Sequence, residues 1–443
     1  MDPATALIAL GALLVAVPFA LWLRGRGPLP LPPPPPLSEP LSEPPSEPPL
    51  ELPVLRVVAL GLDGAGKTVL LASQFHTLSV PAGDRRFFLD VEWEQQNYLA
   101  GLFASVSDTS APWPSATRIG NLQEFVFSCT AHDLADVERT LFRISYLDYA
   151  GELLESEPLD ESHDALRDVM GQQGPVRELK AKVRGAQALL LVLDGRRMLQ
   201  LLRGEDEGRD YFEWRLAPLL AVARRAKCPV QLILTKWDLV RTFDDSDEEQ
   251  LLRKVKDELL SNRRVELVVQ AHRSRNERVR LIPVSAVGPR FADLNANGTV
   301  VKRPDGRVEP VHVDVPLCAV LPDVLKHLER EHAAAVRAEI EREVRRHGHA
   351  NRPALAISVL ESAAGKMVQK AVSGLVGGQI VKLFVELLVR EKLPETSAPA
   401  GAEQAQPLKP DEEEIRRLRA EVVSDMREIA GRLERDFRSS ILR

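Results

Sequence analysis

The chain has 443 residues, of which 44% are hydrophobic and 28% charged, enough apolar content for a sizeable core and a length that suits about two to three domains. Its net charge of −6 and pI near 6.0 give no electrostatic reason to expect a nucleic-acid partner. Cys129, Cys228 and Cys318 are isolated in sequence and the histidines show no metal-ligand spacing, so neither a disulfide framework nor a zinc site is indicated.

Residues 4–23 carry no charge and as a helix are long enough to cross a hydrocarbon core of roughly 30 Å. Arg24 and Arg26 come directly after them, whereas Met1-Asp2-Pro3 offers no basic side chain. The positive-inside rule then places the downstream chain in the cytoplasm. A cleaved signal peptide is the competing reading, but its basic residues precede the apolar run, and here they come after it. The expectation is a single-pass membrane anchor over residues 1–27, with Pro18 tolerated as a kink. Residues 28–53 are Pro-rich, with the run Pro32–Pro36 and a Ser-Glu-Pro repeat. They read as an extended stalk which, at about 3.1 Å per residue, could hold the downstream domain up to ~80 Å from the bilayer.

The apolar run Val54–Leu60 reads as a strand and leads into Gly61-Leu62-Asp63-Gly64-Ala65-Gly66-Lys67-Thr68, which fits G-x-x-x-x-G-K-[ST]. Glycines let backbone N–H groups close around phosphates, Lys67 supplies a point charge and the Thr68 hydroxyl suits Mg²⁺. The expected phosphate-site residues are Gly61, Asp63, Gly64, Ala65, Gly66, Lys67, Thr68 and Val69, the last opening the helix-like Val69–Gln74.

Further on, Leu141–Leu147 reads as a strand ending in Asp148-Tyr149-Ala150-Gly151-Glu152, a D-x-x-G segment. Asp148 at the strand end can hold Mg²⁺ through water, and the Gly151 N–H is placed to sense a γ-phosphate. Ala188–Leu193 with Asp194 is a buried strand, and Val230–Leu234 leads into Thr235-Lys236-Trp237-Asp238. That tetrapeptide resembles [NT]-K-x-D, in which the carboxylate accepts from the two edge N–H groups of guanine. Adenine offers no such pair, so the segment argues for GTP over ATP. Val279–Val284 then runs into Ser285-Ala286-Val287, which looks like the S-A-x loop whose backbone meets the guanine O6.

In this order the motifs resemble the Ras-like GTPase superfamily, and GLDGAGKT resembles the ADP-ribosylation-factor-type phosphate loop. The resemblance covers about Val54–Leu328. Two intervals exceed those of a minimal Ras-like domain: Thr68 to Asp148, and Asp238 to Ser285, the latter enlarged by the charged stretch Asp244–Arg280. With Trp113-Pro114-Ser115-Ala116-Thr117 and the hairpin-like Asn297–Val315, these enlargements resemble the bacterial double-GTPase family of membrane-associated systems.

The resemblance implies a P-loop GTPase domain of α/β class, a mainly parallel sheet with nucleotide at the carboxyl ends of its strands, GTP/GDP as ligand and Mg²⁺ as cofactor. It implies that Lys67 stabilises phosphate charge and that a switch threonine completes the metal shell with Thr68 and Asp148. Thr117 is the choice, with Thr109 and Thr77 as rivals. Glu152 stands where such proteins usually place the glutamine that orients attacking water. Its negative charge implies slow intrinsic hydrolysis and a partner that supplies a cationic group. A membrane scaffold that binds GTP with little hydrolysis is the rival reading.

The GTPase domain is expected over residues 54–348. Within it, Asn297-Gly298 and Pro304-Asp305-Gly306 signal turns around a hairpin over Thr299–Val315, before a charged helix from near Leu321 to about His347. Residues 349–395 form an apolar helical segment, either a buried helix pair or a membrane-apposed or self-associating one. A linker over 396–410 precedes an amphipathic helix over 411–443, with Ile415, Leu418, Val422, Met426, Ile429, Leu433, Phe437 and Ile441 on one stripe. Its acidic and basic residues balance, so the stripe meets another helix, either of this domain or of a second chain or effector.

Overall fold

Starting from β1 (Val54–Leu60), the chain forms α1 (Lys67–Leu78), β2 (Phe87–Asp90), α2 (Trp93–Ser107) and two long strands, β3 (Leu122–His132) and β4 (Glu138–Tyr149). Next come α3 (Gly174–Arg184), β5 (Ala188–Asp194), α4 (Gly195–Leu202), α5 (Ala217–Arg225) and β6 (Val230–Thr235). A helix pair, α6 (Glu248–Ser261) and α7 (Arg263–Ser274), precedes β7 (Val279–Pro283). The computed structural model describes residues 52–114, 122–149, 174–347, 352–362, 365–366, 378–392 and 410–442, Asp84 and Ala296 excepted. The expected anchor, nearly all of the Pro-rich stalk, Thr117, Gly151 and Glu152 lie outside these residues.

The strands make one eight-stranded sheet in the order β10-β7-β6-β5-β1-β4-β3-β2, in which β10 is a two-residue C-terminal strand, Ile441–Leu442. Pairings among β7, β6, β5, β1 and β4 are parallel, while β4–β3 and β3–β2 are antiparallel. Every residue of β5, β6 and β7 is buried. That is why these strands read as mainly apolar runs, broken only by Gln231 in β6 and Arg280 in β7 before their polar ends: helices cover both faces of the parallel part. In β3 the alternating Phe125, Phe127 and Cys129 are fully buried, the period-two pattern of a strand with one core face.

The charged stretch Asp244–Arg280 contains the α6–α7 pair. Asp247 caps α6 by accepting from the Gln250 N–H (2.8 Å), and Asn262 caps α7 by accepting from Arg264 N–H (2.9 Å). Leu251, Leu252, Val255 and Leu259 bury one stripe of α6, so the charges form its outer face.

Three sequence expectations need correction. The hairpin is β8 (Ala292–Leu294) with β9 (Val300–Lys302), so Asn297-Gly298 forms its turn and does not precede it. Asn295 Oδ1 accepts from Asn297 N–H (3.0 Å) and Thr299 N–H (2.8 Å), which closes that turn locally. The next helix, α8 (Val315–His347), starts before Leu321 and contains Pro322. Leu317, Ala319, Val320 and Leu321 are all buried there, and this packing outweighs the proline.

The third correction concerns the C-terminus. After α9 (Arg352–Glu361) and α10 (Gly378–Lys392), α11 (Pro410–Asp436) ends short of residue 443, and β10 pairs antiparallel with β7. An unpaired edge on β7 would leave backbone groups open, and two residues of strand close part of it. Leu418, Val422, Met426, Ile429 and Leu433 of α11 are buried as it packs on α8 and β4. The wide apolar face of α10 packs on α8, α9 and β1. The described parts of both C-terminal apolar segments therefore pack on this domain. Among the described residues no helix is long and apolar enough to cross a membrane.

Candidate functional site

Between β1 and α1 the loop 61–66 turns sharply. Gly66, the N-cap of α1, has φ 87, a left-handed conformation that a side chain would strain. The first-turn N–H groups and positive dipole end of α1 face the loop, an arrangement that favours an anion. Lys67, almost fully buried, donates from Nζ to Gly61 O (2.8 Å) and Leu62 O (3.2 Å). Thr68 Oγ1 donates to Asp148 Oδ2 at 2.8 Å across 80 residues of sequence. A hydroxyl and a carboxylate so placed are the hard oxygen donors that Mg²⁺ prefers. Burial, then the charge of Asp148, raises the pKa of Tyr98.

The opposite end of the site is built where β6 and β7 stop. Thr235 Oγ1, with one proton to give, lies 2.7 Å from Ala65 O and 3.0 Å from Leu193 O, placing β6 against the phosphate loop and β5. Lys236, left-handed at φ 53, extends Nζ to Gly64 O (2.7 Å) and Asp194 Oδ1 (2.9 Å). Ser285 Oγ donates to Asp238 Oδ1 (2.5 Å) and accepts from Gly288 N–H (2.8 Å). Burial pushes the Asp238 carboxyl above its ordinary pKa, against the lowering effect of the Ser285 bond and the Lys236 charge.

The loop after β7 is held from two sides. Ser73 Oγ donates to Ala286 O (2.9 Å), and Ser285 exchanges backbone bonds with Val311 (3.0 and 2.8 Å). Gly288 has φ 86, and a Cβ there would lie 2.1 Å from Glu309 O, so the close return of the chain requires glycine.

These two ends share one cavity of ≈ 330 Å³. Asp63, Gly64, Gly66, Lys67, Thr68 and Val69 line its phosphate-loop end, and Thr235, Lys236, Asp238, Ala286 and Val287 line the other. Gly61, Ala65, Asp148 and Ser285 stand behind them, each bonded to a lining residue. Of the rival threonines, Thr109 donates to Pro304 O (3.2 Å), and the Thr77 carbonyl accepts from Arg85. Sequence reasoning gave Asp194 no part in the site, although an acid at the end of a buried strand was its signal. It also gave none to Trp113, Ala292 and Val300, which line the cavity.

No family model and no curated protein matches the sequence. Solved structures that it resembles include a bacterial selenocysteine-specific elongation factor, EF-Sec, at 13% identity, covering 52% of this chain and 25% of that one, with a TM-score of 0.23. Sup35 complexed with GDP is 14% identical, covering 53% of this chain and 38% of that one, with a TM-score of 0.27. Translation elongation factor SelB from Methanococcus maripaludis, in complex with the GTP analogue GppNHp, is 13% identical, covering 54% and 31%, with a TM-score of 0.24. The chain thus spans 25% to 38% of the length of these proteins. By its own sheet, loop and cavity, the domain has a P-loop nucleotide-binding α/β fold.

Proposed function

We propose that this chain is a GTP-binding switch protein of Ras-like type that hydrolyses GTP to GDP and phosphate with Mg²⁺. One observation carries the reading: Lys67 and Asp238 line the same cavity. The cation meets phosphates, and the carboxylate accepts the two edge N–H groups of guanine. On binding, Lys67 exchanges the carbonyls of Gly61 and Leu62 for phosphate oxygens. Ser285 keeps one Asp238 oxygen fixed while the base takes its share of the carboxylate. Thr68 and Asp148 would hold Mg²⁺, which when bound supplies positive charge against the phosphates. Glu152 is assigned the place beside the attacking water, which makes intrinsic turnover slow. Residues 4–23 are assigned as a single-pass anchor with the GTPase domain in the cytoplasm; the uncharged run, Arg24 and Arg26 support this.

Calorimetry tests the base reading. GTP and GDP bind with Mg²⁺, ATP binds far more weakly, and Asp238→Asn moves the preference toward xanthine nucleotides. Asn keeps one acceptor but replaces the other oxygen by a donor, so at least one bond to a charged acceptor is lost, a GTP penalty of about 1.5–3 kcal/mol or more. Equal affinity for ATP and GTP overturns it. Single-turnover hydrolysis separates the switch from a scaffold that only binds GTP, and carbonate extraction of the full chain tests the anchor.

A further inference from the structure

Resting on the nucleotide reading, we propose that the β8–β9 hairpin is a lid over the base end of the cavity. Lys302 and Trp113 latch it, and it governs how fast nucleotide enters and leaves.

The hairpin is too small to hold itself. Three residue pairs join β8 to β9, with one further backbone bond at each end, Arg303 N–H to Phe291 O (2.8 Å) and Asn295 N–H to Thr299 O (2.9 Å), and an isolated two-stranded ribbon is marginal in water. Asp293 and Arg303 clasp its base through a two-bond ion pair (2.5 and 2.6 Å). What fixes its position is the end of α2 and the segment after it. Lys302 Nζ donates to Ser105 O and Asp108 O, both at 2.8 Å. The same ammonium lies 5.0 Å from the centre of the Trp113 ring, and Trp113 Nε1 donates to Val300 O at 2.9 Å. Trp113 also meets Phe291 edge-on at 6.0 Å.

These contacts form a unit of their own. Val106, Val287, Phe291 and Ala292 make a small buried cluster separate from the main core, with Val69 and Trp113 packed against it. Its members are the hairpin, the loop after β7, the start of α1 and the end of α2. Ala292, Val300 and Trp113 line the same cavity as Asp238, and Val287 both lines it and packs in the cluster with Ala292. A base bound at Asp238 is therefore enclosed by the hairpin. Because the cluster is small and separate, it can open without breaking the sheet, the behaviour expected of a low-stability element beside a ligand site. Lys302 and Trp113 lie 187 to 197 residues from their partners in sequence, so one substitution in the latch acts on two distant segments at once.

The test uses the full chain loaded with a fluorescent N-methylanthraniloyl GDP and chased with excess GDP. Lys302→Ala is expected to speed both release and association by about tenfold or more, with the equilibrium constant changing less than either rate. Lys302→Arg, which keeps a cation at the latch, stays nearer the parental rates. Trp113→Phe, which loses the bond to Val300 but keeps an aromatic ring beneath Lys302, gives a smaller acceleration in both directions and carries the test should Lys302→Ala fail to fold. Release at the parental rate in folded Lys302→Ala overturns the lid, as does faster release with slower association, the mark of a lost ligand contact. If the parental chain itself fails to bind the probe, the nucleotide reading falls, and the lid with it.

Discussion

The strand ends that carry the phosphate loop and the helical flank of the sheet are held by different kinds of contact. At the loop end, Lys67 and Thr235 donate to main-chain carbonyls of the phosphate loop and β5, and Lys236 donates to Gly64 O beside its ion pair with Asp194. A lysine can exchange such partners for a ligand, because it gives up neutral acceptors for charged ones. On the C-terminal flank the partners are permanent. Arg280 of β7, with only 6% of its side chain exposed, binds Asp323 of α8 (2.8 Å) and Glu434 of α11. Arg419 of α11 donates to Leu141 O at 3.0 Å and faces Glu386 of α10 at 3.5 Å. Leu141 is the extra residue of a bulge between β3 and β4, so the buried arginine satisfies a carbonyl that the ladder leaves over. The sheet is thus closed on its helical flank by fixed ion pairs and apolar packing, and kept exchangeable where its strands end.

The largest effect is expected from breaking the fixed side. Arg280→Ala takes a nearly buried guanidinium from the half-buried Asp323 and Glu434 and is expected to cost about 3 kcal/mol of folding stability, the low end for a buried ion pair. Urea denaturation of the nucleotide-free protein measures this, while the Kd for GDP of the folded fraction stays at its parental value. A loss below about 1 kcal/mol would show that the flank is not fixed by this network.

The complementary change sits on the exchangeable side. Lys67→Ala is expected to weaken GTP binding by about 1.5–3 kcal/mol, roughly one to two orders of magnitude in Kd. Folding stability moves by only about 1 kcal/mol, the net value of an ordinary hydrogen bond. Together the two variants form a crossed experiment: one lowers stability and spares affinity, the other does the reverse. If both properties fell in parallel in both variants, the division between the two regions would be wrong.

The same division explains what could be read in the sequence. The phosphate loop, Asp148, Thr235–Asp238 and Ser285–Val287 are short local patterns at the ends of apolar runs, and local pattern survives in one dimension. The buried strands β5, β6 and β7 were legible because both faces are covered. In contrast, Ile441 continues the helical stripe of α11 by spacing, and only its distant pairing with β7 makes it a strand. Nothing near Trp113 tells that its indole meets Val300, and nothing near Arg419 tells of the Leu141 carbonyl. Asp194 lay in plain sight at a strand end, yet its bond to Lys236 needs the fold to bring β5 and β6 side by side.

Acid acts on the two regions at different pH and with small changes in binding. Burial raises the Asp238 carboxyl above the ordinary carboxylate value of about 3.9. The guanine contact proposed for Asp238 needs that group ionised, so GDP affinity is expected to decline as pH falls through this raised pKa. Asp238 also contributes stability that is fully present below its unfolded pKa and lost as pH rises through its folded one, so its protonation relieves the fold while it weakens binding. Glu277, packed beside α7 and α8, behaves oppositely. Burial pushes its carboxyl up, but hydrogen bonds from His272 and His327, with the charges of His272 and Arg275, hold it well below the usual range. Its stability contribution is present above the unfolded value of about 4.3 and is lost only as pH falls through the depressed folded pKa. Acidification therefore weakens the nucleotide end first and the helical flank later. Between neutral and mildly acidic pH the change in GDP binding is expected to be about 1 kcal/mol or less, since one pKa unit corresponds to about 1.4 kcal/mol. Calorimetry and urea midpoints measured on the same samples at stepped pH resolve the two events, and residual GDP binding by Asp238→Asn is expected to be flat across the first. Loss of binding that coincides with unfolding, or parental binding that stays constant until the protein unfolds, would show that Asp238 is not the group that titrates.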